Sequence, residues 1–162
     1  MKNVGKSLIL MTLFFATMAF TCTKEDENHH STIRVVNNSD KSIYAYGSHT
    51  YPDTFGGMGG GGLSSPYEFK VDPNVENKYA LRLGGYYETE FRDWEIPSDT
   101  LIVYVFDAEL LEAHVTHVQN TVIQRYDLSL QDLQQVNWKL TYPPSPNMRD
   151  MKMYPPYGTN ED

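Results

Sequence analysis

The sequence predicts a mainly β protein, a single antiparallel β-sandwich domain of about seven strands with one or two short helices. Three observations carry that prediction. Several segments alternate apolar and polar residues with a period of two, as a strand with one buried face does. Short runs of turn-forming residues separate them, and no strand leads into the long helical crossover that builds parallel sheets. Leu101 to Phe106 is apolar throughout and rich in β-branched and aromatic residues, as a central strand covered on both faces would be.

The elements follow in chain order. Thr32 to Asn37 places Ile33 and Val35 on one face, and Ile43 to Gly47 does the same with Ile43 and Ala45. Between them Asn37-Asn38-Ser39-Asp40 reads as a hairpin turn. Tyr67 to Val71 alternates cleanly and Tyr79 to Leu83 nearly so; Asp72-Pro73-Asn74 suits a type I turn, whose second position accepts the fixed φ of proline. A helix is predicted from Ala108 to Val118, with Leu111, Val115 and Val118 on one face. A second, Leu130 to Val136, has Ser129 as N-cap and Asp132 three residues later, the spacing of a capping box, with Leu130 and Leu133 facing inward. Trp138 to Tyr142 returns to period two.

The chain divides into four parts. Residues 1–21 read as a lipoprotein signal peptide: Lys2 and Lys6 precede an apolar stretch, Leu8 to Phe20, broken only by Thr12 and Thr17. That stretch falls short of the ~20 apolar residues that span a bilayer. Residues 22–31 read as a flexible stalk in which His29 and His30 are solvated, 32–142 as the sandwich domain, and 143–162 as a disordered tail rich in proline and methionine. Cys22, the single cysteine, stands where the apolar stretch ends and is the expected point of lipid attachment, through palmitate or related acyl groups. With no second cysteine, no disulfide staples the fold within the chain. A folded stretch of roughly 110 residues buries near two thirds of its unfolded surface, enough for an ordinary hydrophobic core to suffice.

Charge narrows the partners. The net charge is −8, and removal of residues 1–21, which hold Lys2 and Lys6 but no acid, leaves 11 basic against 21 acidic residues, a net charge of −10. Such a chain is a poor partner for nucleic acid. Anionic head groups should repel it, so that the anchor rather than the domain surface holds it at a membrane.

Two sets of residues resemble known proteins. Lys24-Glu25-Asp26-Glu27, directly after Cys22, resembles the lysine-plus-acidic export tag of Bacteroidota surface lipoproteins. Asn37-Asn38-Ser39 before Ile43-Tyr44, Tyr51-Pro52-Asp53-Thr54, Val105-Phe106-Asp107-Ala108, and the block from Arg125-Tyr126-Asp127-Leu128 through Asn137-Trp138 to Tyr142-Pro143-Pro144 resemble a recurring family of small uncharacterised Bacteroidota outer-membrane and surface lipoproteins. The resemblance covers nearly the whole domain, and its last block is the most specific part. It implies a protein lipid-anchored in the outer membrane and facing the cell exterior, and it brings no catalytic residues. The glycine-rich loop Gly56 to Gly62 is an insertion relative to that pattern.

Chemical motifs are sparse. Gly56 to Gly62 leads into Leu63-Ser64-Ser65-Pro66 rather than the Lys-Ser or Lys-Thr and helix that a phosphate loop requires. His114 and His117 stand at i, i+3, half of a zinc site without a third ligand at a telling spacing. No Gly-x-Ser-x-Gly elbow is present, and carboxylate pairs such as Glu88 with Glu90 or Glu109 with Glu112 are ordinary in so acidic a chain. Asp72 to Asn77 supplies oxygen ligands but not a calcium-loop pattern. No catalytic residue, cofactor or metal is therefore predicted. Aromatic residues are the surplus: there are twelve tyrosines. Tyr51, Tyr86, Tyr87 and Trp94 are the candidate binding aromatics, because flat rings stack on sugars or anchor protein interfaces. Tyr44 and Tyr46 read equally well as a second buried face of their strand. The expected function is a lipid-anchored, non-enzymatic binding or accessory module for an envelope protein or a glycan. The alternative is a small surface hydrolase acting on sugars, built on the acidic surface and the Tyr86 to Trp94 loop.

Overall fold

Period-two patterning becomes eight short strands in two sheets. The structure, a computed structural model, describes residues 25–52, 69–93, 96, 98–113 and 118–159. Among these residues the strands are β1 (Thr32–Asn37), β2 (Ile43–Ser48), β3 (Lys70–Val71), β4 (Val75–Arg82), β5 (Leu101–Asp107), β6 (Val122–Leu128), β7 (Lys139–Tyr142) and β8 (Lys152–Tyr154). The helices are α1 (Tyr87–Arg92), α2 (Ala108–Ala113) and α3 (Leu130–Gln135). A three-stranded sheet runs in the order β4-β1-β7 and a five-stranded sheet in the order β3-β2-β5-β6-β8. The mainly β sandwich read from the sequence is the fold.

The core lies between the sheets. Ile33 and Val35 from β1, Leu81 from β4 and Leu140 from β7 meet Ile43 and Ala45 from β2, Leu101, Val103 and Val105 from β5, and Tyr126 and Leu128 from β6. Central β5 is buried at all seven positions: Leu101 to Phe106 feed two different clusters in alternation, and Asp107 at its end is a buried carboxylate. Tyr87 and Phe91 of α1, Leu133 of α3 and Trp138 close the end of the sandwich where β5 begins and β6 ends. Asn137 and Trp138 both take positive φ, 52° and 56°, reversing the chain out of α3 so that the indole turns into this core. The Ser129 capping box forms as predicted, with Asp132 N–H donating to Ser129 Oγ at 3.2 Å and Ser129 N–H donating to Asp132 Oδ2 at 2.8 Å.

Several expectations are corrected. Asn37 to Asp40 is no hairpin: β1 and β2 lie in different sheets, and the turn is a corner between them. Ile33 and Ile43 face the same core from opposite sides, which a hairpin within one sheet does not allow. Asn37 pins the corner from a fully buried position. Its Nδ2 donates to the carbonyls of Lys41 (2.6 Å) and Val71 (3.0 Å), and its Oδ1 accepts from Ser39 N–H (3.0 Å) and Ser39 Oγ (2.7 Å). The β1–β7 pair is parallel, because α3 carries the chain across the closed end and returns it beside the start of β1. At Asp72-Pro73-Asn74 the third residue has φ 58°, the positive value of a type II rather than a type I turn. The first predicted helix is described over Ala108–Ala113, Val118–Thr121 is a 3-10 turn, and residues 114–117, Val115 among them, lie outside the described residues, as do Tyr67 and Glu68.

Both ends of the domain extend beyond 32–142. Residues 143–159 form a 3-10 turn at Pro146–Met148 and strand β8, and Met148, Met151 and Met153 are buried in the core. Spaced methionines here supply core volume rather than a loose tail. The stalk read over 22–31 is likewise ordered from Glu25 on. Glu25 Oε1 accepts from Ser31 N–H, Ser31 Oγ and Thr32 Oγ1 at 2.9, 2.9 and 2.8 Å. His30 is not solvated: it stacks on Trp138 with centroids 4.3 Å apart and pairs through Nδ1 with Glu88 at 2.6 Å.

Candidate functional site

Strand alternation that fills the core also builds the opposite face of the five-stranded sheet. With Leu101, Val103 and Val105 turned inward, Ile102, Tyr104 and Phe106 turn outward, joined by Tyr44 and Tyr46 from β2. Ala108 and Leu111 of α2 cover one part of this face. Tyr44 is thus a buried residue of a second cluster, the structural reading of that aromatic.

Along this face, cross-strand register lines up two rows. Tyr46 pairs with Tyr104, Tyr104 with Arg125, and Arg125 with Tyr154, across β2, β5, β6 and β8. In the neighbouring row Ser48 pairs with Ile102, Ile102 with Asp127, and Asp127 with Lys152. Directly opposed residues on one face have Cβ atoms ~5 Å apart, so these side chains meet. The Arg125 guanidinium lies 5.8 Å from the Tyr104 centroid and 5.6 Å from that of Tyr154. Such cation–ring contacts contribute about 0.5–1 kcal/mol each at exposed sites.

Charge in this surface is organised around Asp127, whose side chain is 1% exposed. Its Oδ1 accepts from Arg125 Nε at 2.6 Å. Its Oδ2 lies 3.0 Å from Lys152 Nζ, at an angle outside hydrogen-bond geometry, so that contact is an ion pair without a directed bond. Lys152 Nζ also donates to the Tyr51 hydroxyl at 2.8 Å. The Tyr51 hydroxyl first, and Asp127 second, hold the Lys152 ammonium above its ordinary pKa, so it stays charged through the physiological range. Two cations against one carboxylate leave the cluster net positive within a strongly acidic chain. Tyr154 is 50% exposed and Lys152 51%, so the rows present an aromatic ring and a cation to solvent.

The four candidate aromatics separate. Tyr51 joins this surface. Tyr87 does not: it is buried, its hydroxyl donates to the Leu81 carbonyl at 3.2 Å, and its ring tilts against Trp138, which makes it a core residue. Tyr86 precedes α1 and lies against the His29 ring at 4.9 Å. Trp94 lies outside the described residues, as do Cys22, Lys24, the Gly56 to Gly62 loop, His114 and His117. In the acidic run, Glu25 is engaged as above, Asp26 bonds Asn28 N–H and the His29 ring, and Glu27 is exposed.

Sequence reading missed Tyr104, Arg125, Asp127, Lys152 and Tyr154. A signal was present: Arg125 and Asp127 alternate with Gln124, Tyr126 and Leu128, and Lys152 and Tyr154 flank Met153, period two in both segments.

A concavity of about 510 Å³ at the far end is lined by Lys41, Lys70, Asp107, Glu109 and Glu112 among others. Its carboxylates have local partners. Glu112 accepts from Lys70 Nζ and from the Tyr44 hydroxyl, both at 2.8 Å, and these bonds hold its carboxyl below the usual range. Asp107 Oδ1 accepts from Leu110 N–H at the start of α2, and its Oδ2 faces Lys41 Nζ at 3.5 Å. Among the described residues no three His, Cys, Asp or Glu side chains gather as a metal site, and no helix is long and apolar enough to cross a membrane.

No family model matches the chain. No curated protein and no solved structure matches it either.

Proposed function

We propose that this chain is a lipid-anchored cell-surface protein that acts by binding, as a non-enzymatic or accessory module for a glycan or an envelope protein, with the Tyr46–Tyr104–Arg125–Tyr154 row as its recognition surface. The observation that carries the reading is Tyr154, half exposed and flanked by two cations on the edge strand of the five-stranded sheet, while Tyr104 further along the row is buried and frames the arginine. Exposed aromatics beside Arg are the composition of binding hot spots. The anchoring half rests on Cys22 after an apolar segment, the acidic run, and the resemblance to Bacteroidota outer-membrane lipoproteins. Labelling cells with a fatty-acid analogue tests it: label should enter the wild type and not Cys22→Ser. Label persisting in Cys22→Ser removes the anchor. Capture from detergent-solubilised envelopes and on a glycan array, each repeated with Tyr154→Ala, tests the binding half.

The runner-up, a small sugar-directed hydrolase, would use the concavity lined by Asp107, Glu109 and Glu112. Glycoside hydrolysis needs one carboxyl to deliver a proton and a second that is ionised; Lys70 and Tyr44 hold the Glu112 carboxyl below its usual range, which suits it to the second role only. Glycosidase turnover that is lost in Glu112→Gln would establish this reading in place of binding.

A further inference from the structure

The geometry points to an acidic saccharide, one carrying uronate carboxylates, as the ligand of the Tyr104–Arg125–Tyr154 row. This names the ligand class for the surface proposed above and rests on that reading. The first ground is the state of Arg125. Its side chain is only 16% exposed, and of its donors only Nε is committed, to Asp127 Oδ1. Both terminal amino groups have no acceptor among the described residues. A guanidinium with its Nη1/Nη2 fork uncommitted matches the two oxygens of a planar carboxylate, a fit that a neutral hydroxyl cannot reproduce.

The second ground is the aromatic frame. Rings on both sides hold the guanidinium in place, so little side-chain entropy is lost when it takes a ligand. Tyr154 offers its exposed ring area beside that fork, and a pyranose presents a flat C–H face that packs on such a ring while its carboxylate reaches the arginine. An acidic peptide offers the charge without the flat face.

The third ground is charge. Lys152 pairs across the strands with Asp127 and has three donors, one of them directed at the Tyr51 hydroxyl. Its half-exposed ammonium faces Asp127 Oδ2 without a directed bond, which leaves donors for a second anionic group along a charged chain of sugars. Because the whole chain carries −8, this net-positive surface is a local exception that selects where an anion can land.

Titration calorimetry on the full chain in detergent, with trigalacturonate against the neutral trisaccharide cellotriose, tests the assignment. Trigalacturonate should bind at least tenfold more tightly, and more weakly as salt rises. Tyr154→Ala and Arg125→Lys should each weaken it tenfold or more. The second keeps the charge against Asp127 and so protects the fold, which circular dichroism checks; Lys139→Gln on the other sheet should change nothing. Equal affinity for the two trisaccharides, unaltered binding in Tyr154→Ala, or equal binding of an oligoglutamate peptide overturns the saccharide class. If trigalacturonate fails while a neutral glycan or an envelope protein is captured in a Tyr154-dependent way, the ligand class falls and the binding module stands. If Tyr154→Ala alters no capture at all, both fall.

Discussion

Arg125 and Asp127, two residues apart on β6, meet at 2.6 Å on the outer face of the five-stranded sheet, and the carboxylate is the more enclosed partner. Burying a carboxylate costs several kcal/mol unless its oxygens are compensated, and here both oxygens face cations. Asp127→Ala therefore leaves two positive groups opposed with nothing between them. The expected loss is about 3 kcal/mol, the low end for a broken buried pair, because Lys152 can turn into water. Urea unfolding measures it. The double change Arg125→Met with Asp127→Leu should recover most of the loss; a single variant within about 0.5 kcal/mol of wild type would show the pair to be inert.

The corner between the sheets yields a second prediction. All four hydrogen-bonding positions of the Asn37 side chain are used, two of them on the Lys41 and Val71 carbonyls. Asn37→Asp keeps the shape but turns both donors into an acceptor facing carbonyl oxygens. Removing such bonds from buried groups costs about 1–3 kcal/mol each. A fall in Tm of roughly 10 °C is expected, taking about 2–3 kcal/mol at about 4 °C per kcal/mol for a domain of this size. An unchanged Tm would contradict the corner's role.

Most of the β architecture was legible because patterning reports burial directly: Ile33 with Val35, Ile43 with Ala45 and the apolar run Leu101 to Phe106 of β5 all sit where it puts them. Alternation does not say which sheet a strand joins, so the corner at Asn37 read as a hairpin. Ordered ends were missed for a different reason. Prolines around Met148, Met151 and Met153 suggested an extended tail, yet three methionines at short spacing can fill a core edge once one strand position, Met153, pairs beside Tyr126. The candidate surface escaped because its residues come from four strands, and only pairing register brings Tyr104, Arg125 and Tyr154 into line.

That ordered tail carries its own test. Met148 is fully buried and receives the Thr141 hydroxyl at 3.4 Å on its sulfur. Met148→Ala should cost about 2–4 kcal/mol, the range for truncating a buried methionine. A stop codon after Tyr142 removes Met148, Met151, Met153 and the whole of β8, and the product should lose its cooperative unfolding transition. Full stability in the truncated chain would return residues 143–159 to the role of a loose tail.

Acid should release the N-terminal segment before the sandwich. Burial alone would push the Glu25 carboxyl up, but hydrogen bonds from Thr32 and Ser31 outweigh it and hold the group below its ordinary 4.5. A depressed carboxyl stabilises docking above the unfolded value, and that contribution is lost as pH falls through the folded one. The Ser31 amide, which donates to Glu25 Oε1 at 2.9 Å, reports this directly. Its NMR resonance should titrate with a midpoint below 4.5, and Glu25→Gln should abolish the titration. A midpoint at or above the ordinary value would mean the contacts do not form in solution.

Alkali should act on the core. Burial pushes the phenols of Tyr87 and Tyr126 well above their ordinary 10, with the nearby Glu90 charge adding to the first and Tyr142 to the second. A raised phenol keeps its proton in the fold while the unfolded chain gives it up. Stability from these groups is therefore complete below pH 10 and declines as pH rises from there toward the folded values. Both hydroxyls are donors, to the carbonyls of Leu81 and Thr141, so ionising either one also breaks a hydrogen bond in the interior. Absorbance at the phenolate band, followed together with circular dichroism, should show Tyr87 and Tyr126 holding out among the twelve tyrosines until the β signal collapses. In concentrated guanidinium all twelve should ionise together near 10. Complete ionisation with the β signal intact would place both rings at the surface, and with them the closed end and inner face of the sandwich would have to be redrawn.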